Sequence, residues 1–204
     1  MNIVHYVMQN RDMKNSFKSE VLTMKIAGFQ KTSLIDYPEH IVSIIFTQGC
    51  NFRCPYCHNA DLIPMDNKEN EYFPVEYILE FLKKRKGLID GICITGGEPT
   101  LQTDLYSFIK NVKDMSLLVK LDTNGYKPDI IKDLLTNKLL NYIAMDVKGS
   151  LQQYNNVTGV QIDIEKIKNT ISIIKESGID YELRTTVVPG LHTKNDIKRI
   201  GEII

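Results

Sequence analysis

Three of the four cysteines in this 204-residue chain fall close together, at Cys50, Cys54 and Cys57. Thiolates are soft ligands that suit iron–sulfur clusters or zinc. The spacing is C-x3-C-x2-C. Three thiolates leave the fourth iron of a cubane without a protein ligand and free to bind a cofactor. The competing reading is zinc with His58 as a fourth ligand. Structural zinc usually takes two separated ligand pairs, and the adjacency of Cys57 and His58 makes joint chelation awkward. Cys93 sits inside the apolar run GICIT and reads as a core thiol.

Further along, GGEPT begins at Gly96. Gly96 and Gly97 permit close backbone approach to a ligand. Glu98 offers a carboxylate to a cationic amino group; the plainer alternative is a strand-to-helix turn with Pro99 at the helix start. Asp122 and Asp146 are carboxylates that would flank a cation or a sugar hydroxyl, and Lys148 would suit a carboxylate ligand. An Asp–Lys ion pair closing a sheet explains them almost as well. Arg184 lies on the same side of the balance, leaning to the site. Asn124–Gly125 is also a simple turn signal. His5, His40 and His192 have no partner identifiable from sequence. Tyr154 to Gly159 (YNNVTG) reads as a polar loop that covers the site or merely connects.

Elements must bring these groups together. Ile41 to Thr47 (IVSIIFT) is an apolar, β-branched run and reads as a buried strand, with Tyr37–Pro38 as a turn leading into it. Further strands are expected at Gly91–Thr95, Leu117–Leu121, Tyr142–Met145 and Tyr181–Val188. Helical spacing of apolar residues marks Val75–Lys86, Asp104–Lys113, Pro128–Thr136, Ile164–Glu176 and Lys194–Ile204. Pro128 suits a first turn and Gly178 a helix end. Strands alternating with helices predict an α/β fold with a parallel sheet. Each strand is followed by a polar or glycine-rich segment: QGCNFRCPYCHN, GGEPT, DTNG, MDVKG and RTTVVPG. In a parallel sheet all strand C-termini share one edge, so these segments are expected to converge there.

The bulk composition agrees with a globular enzyme-sized domain. Hydrophobic residues make up 43% and charged residues 25%. Lys plus Arg and Asp plus Glu both number 25, a neutral balance that points to no nucleic-acid or anionic-membrane partner. Apolar runs are strand-sized, short of a membrane span. Clustered cysteines argue against a secreted disulfide framework, and residues 1–23 lack the apolar core of a signal peptide. A cytoplasmic location is expected. Residues 1–24 read as a poorly ordered extension, with Met24 as an alternative start, and 25–204 as the domain. The last helix runs off the end of the chain, so a truncation before the final strand is expected.

C-x3-C-x2-C followed by GGE resembles the radical S-adenosylmethionine (SAM) superfamily. More narrowly, GFQKTSLIDYP, FTQGCNFRCPYCHN, GGEPTLQ, DTNG, MDVKG and VVPG resemble the anaerobic ribonucleoside-triphosphate reductase activating proteins, with the pyruvate formate-lyase activating enzymes also similar. The likeness runs from Lys25 to about Lys198. It implies a partial (β/α)6 TIM-type barrel holding a [4Fe–4S] cluster on Cys50, Cys54 and Cys57, with SAM on the fourth iron. It further implies Tyr56 beside the adenine, Gly96, Gly97 and Glu98 at the methionyl amine, and Lys148 at the cofactor. Asp122, Thr123 and Asp146 match positions that hold a monovalent cation in the pyruvate formate-lyase activators. The implied partners are a glycyl radical enzyme, foremost anaerobic ribonucleotide reductase, and an electron donor such as flavodoxin or ferredoxin. A radical enzyme acting on a small molecule, such as a deazapurine-forming synthase, is the second expectation; those often have altered cysteine spacing, which this chain does not.

Overall fold

The computed structural model describes residues 22–66 and 71–204. The expectation for residues 1–21 falls outside them. Six strands form one sheet in sequence order: β1 (Ile26–Ser33), β2 (Val42–Thr47), β3 (Gly91–Gly96), β4 (Leu118–Thr123), β5 (Tyr142–Asp146) and β6 (Asp180–Arg184). Strands β2 to β6 are parallel, and β1 is antiparallel to β2. The helices are α1 (Val75–Lys84), α2 (Leu105–Asp114), α3 (Pro128–Thr136), α4 (Tyr154–Thr158), α5 (Ile164–Glu176) and α6 (Lys194–Gly201). This is the α/β partial-barrel arrangement, an unclosed sheet of parallel strands joined by helical crossovers.

Alternation along the strands sorts two faces. Ile45, Ile92, Ile94, Val119, Leu121, Ile143 and Met145 are fully buried and share the main core with the helices' apolar stripes, including Phe108 and Ile109 of α2 and Ile131 of α3. Ile44 and Cys93 lie in a second cluster with Tyr37 and Val42, against which Tyr142 packs. Cys93 is therefore the core thiol its apolar setting suggested. On the same alternating set of positions, Lys120, Asp122, Asp146 and Arg184 carry charge.

Three features depart from expectation. Strand β1 was not anticipated: its burial follows no clean alternation, and two irregularities interrupt its pairing with β2, so no period-2 pattern reaches the sequence. Strand β6 ends at Arg184 rather than at Val188. Val147 N–H still donates to the Arg184 carbonyl, but beyond that bond the pairing stops and Val187 is exposed. The YNNVTG segment is a short helix, α4, not a loop. Tyr154, Val157 and Thr158 are buried beneath it, and Gly159 ends it in the left-handed region.

Register fixes the working edge. Thr47 pairs with Gly96, Thr123 with Met145, and Asp146 with Arg184. The C-terminal ends of β2 to β6 thus lie side by side, and every chemistry-bearing segment follows from one of them.

Candidate active site

One cavity of about 230 Å³ opens at this edge, and Cys50, Cys54 and Cys57 all line it. So do Tyr56, Gly96, Gly97, Glu98, Asp122, Thr123, Asp146 and Lys148. These residues therefore meet at one place, whereas Arg184, also expected to lean to the site, does not line the cavity and reaches it only through Asp122 and Asp146.

The cysteine loop is stitched down by its neighbours. Gly49 and Cys50 donate from their backbone N–H groups to the carbonyls of Leu62 and Ile63. Arg53 donates to the Thr158 carbonyl at 2.8 Å, which seats the loop on α4. Gln102 donates from its side chain to the Gln48 carbonyl and accepts from Lys25 N–H. Cys50 Sγ accepts from Phe52 N–H at 3.4 Å and from the Asn124 side-chain amide at 3.9 Å. Burial pushes the Cys50 thiol up to about 11, against the pull of the Phe52 N–H. Burial also raises Cys54, while the nearby Lys148 ammonium works in the opposite sense. Such thiols give up their protons when a metal takes the proton's place.

The glycines serve the loop as much as any ligand. A Cβ on Gly96 would lie 2.2 Å from Thr47 N, and one on Gly97 would lie 2.2 Å from the Gly49 carbonyl oxygen. Only glycine lets the end of β3 lie flat against the cysteine loop. Gly97 and Glu98 then donate from their backbones to Thr47 O and Gly49 O, both at 2.8 Å.

Glu98 is fully buried. Its Oε1 accepts from Thr100 N–H at 3.1 Å, from the Thr100 hydroxyl and from the Thr123 hydroxyl at 2.7 Å. Its Oε2 accepts from Asn124 N–H at 2.7 Å. Burial pushes this carboxyl up and the four donors pull it down. The carboxylate binds GGEPT to DTNG, and any amine would meet a group already well supplied with donors.

Asp122 and Asp146 form the ion-pair network that the plainer reading allowed. Lys120 Nζ lies 2.9 Å from Asp122, Lys148 Nζ lies 3.0 Å from Asp146, and Arg184 reaches both carboxylates, at 3.4 and 3.0 Å. Burial opposes the charge on Lys148, but Asp146 outweighs it and raises the pKa. Arg184 behaves likewise between Asp122 and Asp146. The two aspartates thus already hold a guanidinium between them.

Sequence reasoning missed several positioning groups. Tyr154 accepts a hydrogen bond from Lys148 N–H at its hydroxyl, 3.2 Å away. His192 contacts Lys148 O through Nε2 at 2.8 Å and accepts from Val188 N–H at Nδ1, and its ring meets Tyr56 edge-on. No spacing rule flags these contacts, because their partners lie from 4 to 136 positions away. His40 pairs with Asp90 at 3.8 Å, far from the cavity. His5 lies outside the described residues.

The donor set fits an iron–sulfur cluster. Three soft thiols share one cavity with the half-buried Lys148 ammonium. Soft thiolates are the ligands such a cluster takes.

The model of the Radical SAM superfamily matches residues 44–202. The chain belongs to the radical SAM superfamily. Among radical SAM relatives, a protein named as a glycyl-radical enzyme activating enzyme in Methanocaldococcus jannaschii is 37% identical over 187 residues, 88% of this chain and 75% of that one. The pyruvate formate-lyase-activating enzyme of Clostridium pasteurianum is 27% identical over 88% of this chain and 76% of its own length. The solved structure of Streptococcus suis SuiB bound to precursor peptide SuiA matches with a TM-score of 0.61 at 16% identity, over 78% of this chain and 35% of that chain. That likeness shows a shared fold alone. Superfamily membership makes this chain a radical SAM enzyme, whose chemistry uses a [4Fe–4S] cluster and SAM. No helix among the described residues is long and apolar enough to cross a membrane.

Proposed function

We propose that this chain is an activase that installs a glycyl radical on an anaerobic ribonucleoside-triphosphate reductase. The observation that carries the reading is the convergence of Cys50, Cys54 and Cys57 with the GGE, DTNG and MDVKG segments on one cavity. Two relatives named as activating enzymes, each covered over three quarters of its length, support the activase class. The narrower choice of ribonucleotide reductase rests on the SLIDYP and CPYCHN segments.

In this reading Cys50, Cys54 and Cys57 hold the cluster, and Gly96, Gly97 and Glu98 frame the methionyl amine. Tyr56 borders the adenine. Lys148 supplies positive charge for the methionyl carboxylate, and Asp122, Thr123 and Asp146 border the place of a monovalent cation. Bound there, a cluster and SAM would supply one-electron cleavage of a carbon–sulfur bond, the radical chemistry needed to remove a hydrogen atom from a partner's glycine Cα. The chain's own task is to orient SAM and exclude water. Buried Phe52 and Glu98 line the cavity beside the thiols, which suits a radical that reacts with whatever reaches it. The electron comes from a flavodoxin- or ferredoxin-class donor.

Anaerobic reconstitution with iron and sulfide tests the cluster. A brown protein with a band near ~400 nm, lost in Cys54→Ala, is expected; a colourless zinc protein would sink the reading. Reduced enzyme mixed with SAM and an anaerobic ribonucleotide reductase is expected to give a glycyl radical doublet by electron paramagnetic resonance. A doublet only with a pyruvate formate-lyase-type partner would move the target. No doublet with any partner, alongside SAM cleavage, would point to a small-molecule substrate.

A further inference from the structure

We infer that Asn124 is a tuning residue that raises the reduction potential of the cluster by donating its side-chain amide to the Cys50 sulfur. The inference rests on the cluster reading above. Asn124 is buried, 6% exposed, and three contacts fix its amide. Its backbone N–H is held by Glu98 Oε2 at 2.7 Å. Its Oδ1 accepts from Tyr126 N–H at 3.0 Å, which settles which end of the amide carries the protons. Its Nδ2 then faces Asn51 Oδ1 at 2.9 Å and Cys50 Sγ at 3.9 Å.

Cys50 Sγ therefore has two donors, this amide and Phe52 N–H at 3.4 Å. A hydrogen bond to a ligand sulfur draws charge off it, favours the electron-rich reduced cluster and raises the potential. The Phe52 donor is backbone and cannot be altered by a side-chain change. Asn124 is the adjustable one. It is also wired to the rest of the site, because the Glu98 carboxylate that places it ties GGEPT to DTNG as well.

The test is a redox titration of anaerobically reconstituted protein, followed by electron paramagnetic resonance, with iron and sulfide measured per chain. Wild type is compared with Asn124→Leu, which removes the donor, and Asn124→Asp. The aspartate keeps the acceptor for Tyr126 and replaces only the Nδ2 end. At a fixed solution potential, the ratio of reduced to oxidised cluster is expected to fall roughly tenfold in Asn124→Leu, equivalent to about 59 mV for one electron. It is expected to fall further in Asn124→Asp, whose added negative charge faces the sulfur. SAM cleavage in both variants should recover with a stronger reductant. A potential unchanged or raised in Asn124→Leu overturns the inference, whatever the aspartate's charge does. Loss of the cluster from both would make Asn124 a scaffold of the loop and overturn it too. If wild type itself binds no cluster, the cluster reading fails and this one with it. A cluster present with an unmoved potential sinks this inference alone.

Discussion

Glu98 is the side chain on which most of the site's polar structure turns. A buried carboxylate is tolerated only where donors replace the lost water, and Glu98 has four from Thr100, Thr123 and Asn124. Glu98→Gln keeps the shape but turns one acceptor into a donor facing donors. It is expected to cost about 2–4 kcal/mol in urea unfolding, whereas Thr100→Val, which leaves the carboxylate three partners, should cost about 1 kcal/mol. Asp196 makes a different residue-scale case. It caps α6 through Thr193 and accepts from Ser150 at 2.8 Å, fastening the segment after β6 to the segment after β5. The Thr193 hydroxyl and the other donors hold its carboxyl down at about 2, against an ordinary 3.8. A depressed acid stabilises the fold above its ordinary value and loses that contribution as pH falls towards the folded value. Thermal melts of the metal-free chain should therefore show wild type above Asp196→Asn at pH 7, with the gap closing between about pH 4 and pH 2.

Among the elements, α4 has the least obvious role and a direct one. Its last carbonyls receive the Arg53 N–H of the cysteine loop, and Gly159 lies against the Arg53 carbonyl. At φ +71° any side chain is strained, and a Cβ there would lie 2.5 Å from that oxygen. Gly159→Ala is expected to destabilise the protein by about 1–2 kcal/mol from the backbone alone. It should also lower the iron bound per chain on reconstitution, because Arg53 precedes Cys54. Iron content equal to wild type would show that α4 does not position the loop. From sequence, YNNVTG reads as a loop because its polar residues hide a buried Tyr154 and Val157. Helix propensity is a weak guide over five residues, and here packing against the cysteine loop decided the outcome.

At the scale of the whole molecule, the sheet is uneven in stability. Strands β2 to β5 are paired on both sides and largely buried, while β1 and β6 are edges with exposed positions. Hydrogen exchange should find the slowest amides in β2–β5, with Asp180 to Leu183 and the middle of β1 exchanging faster by local opening. Uniform protection across all six strands would contradict this. The cavity draws on the C-terminal ends of β2 to β5, so the residues proposed to hold the cluster and cofactor hang from the strands expected to exchange slowest.

The sequence by itself determined the parallel strands, their order of segments and the residues that line the site. Apolar β-branched runs and helical periodicity are local signals, and a parallel sheet puts all its C-terminal ends on one edge wherever they occur. The spacing of Cys50, Cys54 and Cys57 was legible for the same reason, since one short loop carries all three thiols. Tertiary structure alone decided how those residues act on one another. Asp122 and Asp146 became an ion-pair network because β4, β5 and β6 stand in register beside Arg184. Glu98 became a buried hub because Asn124 and Thr123 arrive from the neighbouring strand. The irregular antiparallel β1, the helix α4 and the contacts of His192 likewise depend on partners distant in the chain, and no periodicity records a partner.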